Sequence, residues 1–442
     1  MAMAADGTNE DRASREFDLL VYGATGFTGR RVAEYATQKC PSLLPVPLRV
    51  GVAGRDGPKL RDLASSLGLN AERDSIVANL DDEPELVRAL RRTRVVLACA
   101  GPYRKCGMPL VRAAVKAGTD CLDLCGEPQF FDDAAVECDD GARAAGVLVV
   151  SACAFDSVPA ELSAAMVARE LRKRHGAVEE DGGGGDGVVS GIEICHTAHN
   201  VARGNPTTFH AAVDGFHAAA TGELRASRDR AKAKFVGGGP PPKRPEGWPQ
   251  LPRAPTWHGP SGTYALRFPG ADASAILGSW RYLRHRFPER YEATPRPELS
   301  VLFGVPDRTS AAKALGYGAV FSSLARYKWG CDLLHTHFNM FSGGVFAEGG
   351  PTEEELKKGS FVTHCTGYGR TRNEVVRTTC TGPELGYVAT PRMIVALAVT
   401  VLKHRKSLPF QGGVMLPGAL FGECEDAYDL LSQNGVEFKV TQ

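Results

Sequence analysis

The chain has 442 residues, in which 52 Lys and Arg are balanced by 51 Asp and Glu for a formal net charge of +1. That length exceeds the usual size of one compact core and predicts two domains, and the charge balance excludes the basic footprint that a nucleic-acid partner requires. Twelve cysteines without a regular framework exclude a disulfide scaffold and fit small buried hydrophobes in a reducing compartment; Cys121 and Cys125 miss the two-residue gap of a redox or zinc pair, so no metal is expected.

The lead-in MAMAADGTNEDRASREF lacks an apolar h-region and is too acidic for a typical transit peptide, so residues 1–16 are expected to be disordered. Across 17–155 the runs DLLVYG, LRVGVAG, SIVANL, RVVLACAG, TDCLDLCG and VLVVSACA alternate with segments of helix length. Continuous rather than alternating apolar runs mark strands buried on both faces, which means a parallel sheet with crossover helices. The fold class is therefore α/β, a doubly wound parallel sheet.

Residues 156–388 are expected to form a second α/β (α+β) domain that holds substrate or a second copy of the chain. It opens on a helix-like stretch from Ser157 to His175. Two Gly/Pro-rich segments, EEDGGGGDG and GGGPPPKRPEGWPQLPRAP, predict surface loops near 176–187 and 236–262. Between them lie the strand-like VVSGIEICHTAHN and a helix, NPTTFHAAVDGFHAA, capped near Asn205 or Thr207. The stretch Ala314 to Phe346 concentrates aromatics, glycines and aliphatics with few charges. It reads either as core or as an apolar wall that holds an acyl chain or touches a lipid surface. Residues 389–442 are expected to pack back on the first domain. The run MIVALAVTVL from Met393 falls well short of the roughly 18 apolar residues of a membrane span, so no transmembrane helix is expected.

The chemistry starts at LLVYGATGFTGRRVAEY. In a chain with 50 glycines, three at spacing three carry little weight alone. Here they stand in the required context: Gly23 ends a strand, Gly26 opens a helix and Gly29 lies one turn into it. The first permits a tight turn, the second lets backbone approach a pyrophosphate, and the third allows close helix packing. With Ala24, Thr25, Phe27 and Thr28 they make a phosphate loop at a helix N-terminus. The second strand ends in VGVAGRD. A carboxylate there would bind the ribose hydroxyls of NAD, whereas Arg55 matches a 2'-phosphate. The cofactor is read as NADPH/NADP+ in preference to NAD; Asp56, as a displaced ribose ligand, is the competing reading.

Ligands in such sheets bind beyond the carboxyl ends of the strands. That rule adds Asn79 after the third strand, and Gly101 and Pro102 after the fourth, with Tyr103 beside them as a candidate proton donor. DLCGE and AFDSVP follow strands five and six and place Asp123, Glu127, Asp156 and Ser157 on the expected substrate side. Asp156 and Ser157 are candidate catalytic groups, or alternatively N-caps of the helix that follows.

Taken together, YGATGFTGRRVAEY, VAGRDGPKL, ACAGPYRKCGMPLVRAAVKAGTDCLDLCGE, AFDSVPAELSA, GPELGYVATPRMIVALAV and GGVMLPGALFG resemble the saccharopine dehydrogenase-like oxidoreductases, which include bacterial trans-acting enoyl reductases. The likeness runs over most of Phe17 to Val440. It implies an NADP-type Rossmann domain, a second α/β domain inserted before a returning C-terminal segment, and a link to lipid metabolism, since the similar bacterial enzymes reduce a carbon–carbon double bond in a polyketide-derived lipid on the way to glycolipids. Eukaryotic relatives are associated with lipid droplets, mitochondria and other membranes. The resemblance carries Gly23, Gly26, Gly29 and Arg55 into cofactor binding but no catalytic acid. The chain departs from the family where a Gly-Thr pair is usual and RGNPTTFHAA stands, which leaves Thr207 and Thr208 without an inherited role.

Three functions follow. The first is an NADPH-dependent oxidoreductase of a lipid or acyl substrate, in which Tyr103 or a water protonates the carbon next to the carbonyl. The second is saccharopine dehydrogenase chemistry of lysine metabolism, for which WRYLRHRFPER is the best basic cluster against three substrate carboxylates. The third is a non-catalytic nucleotide-binding scaffold on lipid droplets or membranes. The expected partners are a small lipid or acyl molecule, a peripheral membrane or lipid-droplet contact and a second copy in a dimer, with no nucleic acid. The expected location is intracellular, on the cytosolic face of lipid droplets or membranes or in the mitochondrion.

Overall fold

The computed structural model describes residues 12, 14–39, 48–175, 189–235, 243, 246–291, 295–371 and 373–442. The disorder expected of the first residues and the loop expected over 176–187 lie largely or wholly outside that set. Within it, the end of the lead-in is docked: Arg12 donates to the Gly146 carbonyl at 2.9 Å and Arg15 to Thr93 O at 2.8 Å.

In chain order the strands are β1 Phe17–Tyr22, β2 Val50–Gly54, β3 Ser75–Val77, β4 Thr93–Ala98, β5 Asp120–Asp123 and β6 Leu148–Val150. They continue with β7 Gly191–His199, β8 Thr256–His258, β9 Thr263–Arg267, β10 Glu298–Val305, β11 Ser360–Tyr368 and β12 Val375–Pro383. The last two are β13 Gly413–Met415 and β14 Glu437–Val440. Each of the six apolar runs of the first domain coincides with one of β1 to β6, β1 and β4 starting one residue before theirs.

The chain divides into two units. The first comprises residues 1–155, 386–416 and 424–434. Its sheet runs β13-β6-β5-β4-β1-β2-β3 with every pair parallel. Every residue of β1 is buried, as a strand covered by helices on both faces must be. The helix Thr390–His404 is part of this unit and carries an unbroken buried run from Met393 to Val401. With the π-turn before it, it forms a 20-residue stretch from Leu385, the one among the described residues long and apolar enough to cross a membrane, and 72% of its apolar window is buried inside the protein. That burial is what a core helix shows.

The second unit comprises residues 156–385, 417–423 and 435–442. Its sheet runs β14-β12-β11-β7-β10-β9-β8 and is antiparallel except for β7 with β10. The helices Val158–His175 and Asp272–Arg286 enclose a core of Val167, Leu171, Ile194, Ile276, Val301 and Cys365. Strand β11 alternates buried and half-buried positions over most of its length, as a strand with one covered face does. Asn205 caps the helix Pro206–Thr221, accepting from Thr207 N at 3.1 Å.

Two expectations need correction. The loop expected over 236–262 contains, among its described residues, strand β8 and a 3-10 turn, because β9 offers an open edge to pair with. The C-terminal segment does not pack only on the first unit: β13 joins β6, but β14 adds to β12 in the second sheet. The eleven described cysteines are all free and eight are buried, as small core hydrophobes would be.

Candidate functional site

Strand β1 delivers the chain into a turn at Gly23, whose φ of +81° belongs to the left-handed region. A Cβ there would also lie 2.9 Å from Ala100 N, in the loop after β4. Gly26 is the N-cap of the helix Phe27–Glu34; no side chain caps that end and its first turn holds no acid. Its N–H groups and positive dipole end are thus free to meet phosphate. Gly29 is buried one turn in, where a Cβ would sit 2.2 Å from the Gly23 carbonyl oxygen. Ala24 is buried beneath the loop, Thr25 is exposed, and Phe27 packs edge-on against Tyr387 at 4.9 Å.

Beyond β2 the competition between Arg55 and Asp56 is resolved by what each side chain does. Asp56 is the N-cap of the helix Gly57–Ser66, accepting from Lys59 N at 3.1 Å and pairing with Lys59 Nζ at 2.9 Å. That hydrogen bonding and pairing hold its carboxyl below the usual range. Arg55 is exposed and makes no hydrogen bond or ion pair among the described residues, so its guanidinium is available to a 2'-phosphate. Asn79 is exposed after β3, its Oδ1 accepting only a long bond from Asp81 N at 3.4 Å.

Gly101 and Pro102 lead into the helix Tyr103–Ala117, with Pro102 as N-cap. Glu127 covers that helix end, accepting from Tyr103 N at 2.7 Å and Arg104 N at 3.1 Å. The Tyr103 side chain is buried. Its hydroxyl donates to Ala98 O at 2.7 Å and accepts from Leu124 N at 3.1 Å, and burial pushes its ionisation well up. As a proton donor Tyr103 is therefore corrected: its one proton already closes the β4 end. Asp123 is also internal, accepting from Ser151 Oγ at 2.7 Å and from Cys125 N at 2.8 Å, while burial raises its carboxyl to about 6.

Asp156 and Ser157 begin the second unit, just before the helix Val158–His175, and neither side chain caps it. The Ser157 hydroxyl is buried with no hydrogen-bond partner among the described residues. The Asp156 carboxyl has none either, and burial together with the nearby Asp272 charge pushes it up to about 8. The capping alternative for these two residues is thus set aside. Asp272 is fully buried: Oδ2 contacts His196 Nε2 at 2.7 Å, the ring's Nδ1 meets Thr363 Oγ1 at 2.8 Å, and Asp272 Oδ1 has no partner among the described residues. Glu161 belongs to the same set, accepting from Gly418 N at 2.8 Å, with burial raising it to about 7. Sequence reasoning missed Asp272, His196 and Glu161. Their separations along the chain obey no helix or strand period, and only IEICH, with charged residues inside an apolar strand, hinted at buried polar work.

Known proteins bear on both units. Residues 19–150 match the family model described as saccharopine dehydrogenase NADP binding domain. A rat protein named saccharopine dehydrogenase-like oxidoreductase is 31% identical over 96% of this chain and 97% of its own. A Caenorhabditis elegans protein named lipid droplet localized protein is 30% identical over 96% of this chain and 98% of its own. A Mycobacterium leprae trans-acting enoyl reductase is 37% identical over 36% of this chain and 37% of its own. Among solved structures, yeast saccharopine dehydrogenase (L-Glu forming) superposes with a TM-score of 0.53 over 96% of this chain and 100% of that one, at 12% identity, a likeness of fold. With a phosphate loop open to its ligand, a free arginine after the second strand and full-length relatives of one kind, the chain belongs to the saccharopine dehydrogenase-like oxidoreductases and carries their NADP-binding domain.

Proposed function

We propose that the protein is an NADPH-dependent reductase of a lipid or acyl substrate whose carbon–carbon double bond is conjugated to a carbonyl. The observation that carries this reading is the Asp156 carboxyl, which has no hydrogen-bond partner among the described residues and whose ionisation is pushed up by burial and by the nearby Asp272 charge. NADPH, when bound, supplies the hydride that enters at the carbon β to the carbonyl. Asp156 supplies the proton that completes the reduction at the α-carbon, and the resulting carboxylate recovers its proton from water. A group poised near the working pH suits that task, as both forms are then accessible in each turnover. Arg55 holds the 2'-phosphate and the uncapped helix after Gly26 holds the pyrophosphate.

The names of the enoyl reductase and lipid-droplet relatives support the choice of substrate and a place at lipid droplets or related membranes. Saccharopine dehydrogenase chemistry is the weaker reading because two of the arginines it would need are engaged. Arg286 donates to the Tyr282 hydroxyl at 2.8 Å, and Arg290 pairs with Glu423 at 3.6 Å. The test is loss of NADPH absorbance on adding enoyl acyl thioesters and enoyl lipids, with wild type and Asp156→Asn. We expect turnover that the variant loses while still binding NADPH. NADPH binding without oxidation by any enoyl compound would overturn the reading.

A further inference from the structure

We propose that the outer face of the helix Arg308–Ala325, together with Tyr327 and Trp329 just past its end, docks on an anionic phospholipid surface. A surface helix of a globular protein has one apolar stripe, turned inward; this helix has two. At about 100° per residue, Ala311, Phe321 and Ala325 fall on one arc. Those three are buried, and Phe321 and Ala325 pack with Phe209, Val213 and Leu334 in a small core of the second unit. On a second arc stand Leu315, Ala319, Ala312, Gly316 and Val320, all exposed, Leu315 by 51% and Val320 by 54%, with the small exposed Ser323 among them. A Cβ built on Gly316 would meet nothing within 4 Å, so that face is open there among the described residues. Just past the helix end Tyr327 and Trp329 are 56% and 61% exposed, with rings stacked 5.9 Å apart at 16°.

Charge selects the occupant. From Arg308 to Cys331 there is no Asp or Glu, while Arg308, Lys313, Arg326 and Lys328 are all exposed. Lys313, Arg326 and Lys328 make no hydrogen bond or ion pair among the described residues. On the helical arc Lys313 stands at the margin beside Val320, while Arg308 and Arg326 stand within the strip between Leu315 and Ala319, so their stems can lie along the apolar side chains while their heads reach phosphates. Exposed apolar side chains interspersed with unpaired cations and followed by exposed aromatic rings suit a helix lying in a lipid interface. A second copy of this chain fits poorly, because a two-fold contact would set the same cations against each other. This docking serves the proposed lipid chemistry but does not depend on it, since the readout below is binding rather than turnover.

The experiment is flotation of the purified full chain with phosphatidylcholine vesicles, with and without phosphatidylserine, across a salt series. We expect flotation with the anionic vesicles that weakens as salt rises. Arg326→Glu and Lys328→Glu should each weaken it by at least about fivefold, and Val320→Asp with Trp329→Ala should abolish it. All four positions are exposed, so NADPH affinity and the unfolding transition should be unchanged in each variant. Lys313→Glu, at the margin beside Val320, is the independent repeat. No flotation of the wild type, or flotation that the variants retain, overturns the proposal. So does a finding that Val320→Asp converts a dimer to a monomer, since the face would then be covered by a second copy. Vesicle binding without NADPH oxidation would sink the reductase reading alone, and oxidation without vesicle binding would sink the docking face alone.

Discussion

Arg55→Glu is the substitution that bears most directly on the cofactor. Arg55 is exposed and without an intramolecular partner among the described residues, and Asp56 caps the following helix on its own, so the change should leave the fold intact. A charge-assisted contact to the 2'-phosphate contributes about 1.5–3 kcal/mol, and a glutamate in its place adds about 1 kcal/mol of repulsion at solvent-exposed separation. Together these amount to about 2.5–4 kcal/mol, a rise of about 70- to 900-fold in the Kd for NADPH. NADH lacks that phosphate, so its Kd should move by no more than about twofold. Fluorescence titration with both nucleotides, repeated at higher salt and accompanied by thermal unfolding, reads the difference. Equal losses for both nucleotides, or none for NADPH, would refute the reasoning.

Further outcomes follow from the same geometry. Gly29→Ala drives a Cβ to 2.2 Å from backbone at Gly23 and should cost about 1–3 kcal/mol, seen as a lower Tm together with weaker NADPH binding. Gly26→Ala meets its nearest atom only at 3.2 Å; it should keep the Tm and weaken NADPH in a titration, because the added methyl faces the phosphates. The reductase rate should fall as pH rises through about 8, the value to which Asp156 is raised, since the protonated carboxyl is the donor. Stability has the same sign. With the folded-state value above that of an unfolded aspartate, the contribution is full in acid and is lost as pH climbs through about 8. Urea unfolding across pH values from about 4, the ordinary aspartate value, up to about 8 should show the slope, and Asp156→Asn should remove it. Gly316→Ala fills open space in a helix and should stabilise the protein by about 0.5–1 kcal/mol, measured as a higher urea midpoint.

Much of the first unit could be read from residues alone because its signals are local. A strand buried on both faces is written as an unbroken apolar run, and a phosphate loop is written as glycines whose spacing follows from the turn, the helix start and the first helical turn. Asn205 as an N-cap was legible for the same reason, since its partner is Thr207, two residues on. Arg55 and Asp56 were separable only in part: their order along the chain suggested the cofactor, but it took the Lys59 contacts to show which side chain was free.

What the sequence by itself determined is therefore the doubly wound sheet, the phosphate loop and the preference for NADP, all set by neighbours within a few residues. The tertiary structure alone decided where the protons reside. It turned the Tyr103 hydroxyl onto Ala98 and Leu124, left Asp156 and Ser157 without the caps their positions suggested, and brought Asp272 to His196 across 76 positions. It also sent β14 to the second sheet and left one apolar face of the helix Arg308–Ala325 uncovered. Burial, edge pairing and the shift of a carboxyl's ionisation depend on groups far apart in the chain, and no local pattern records which of them will meet.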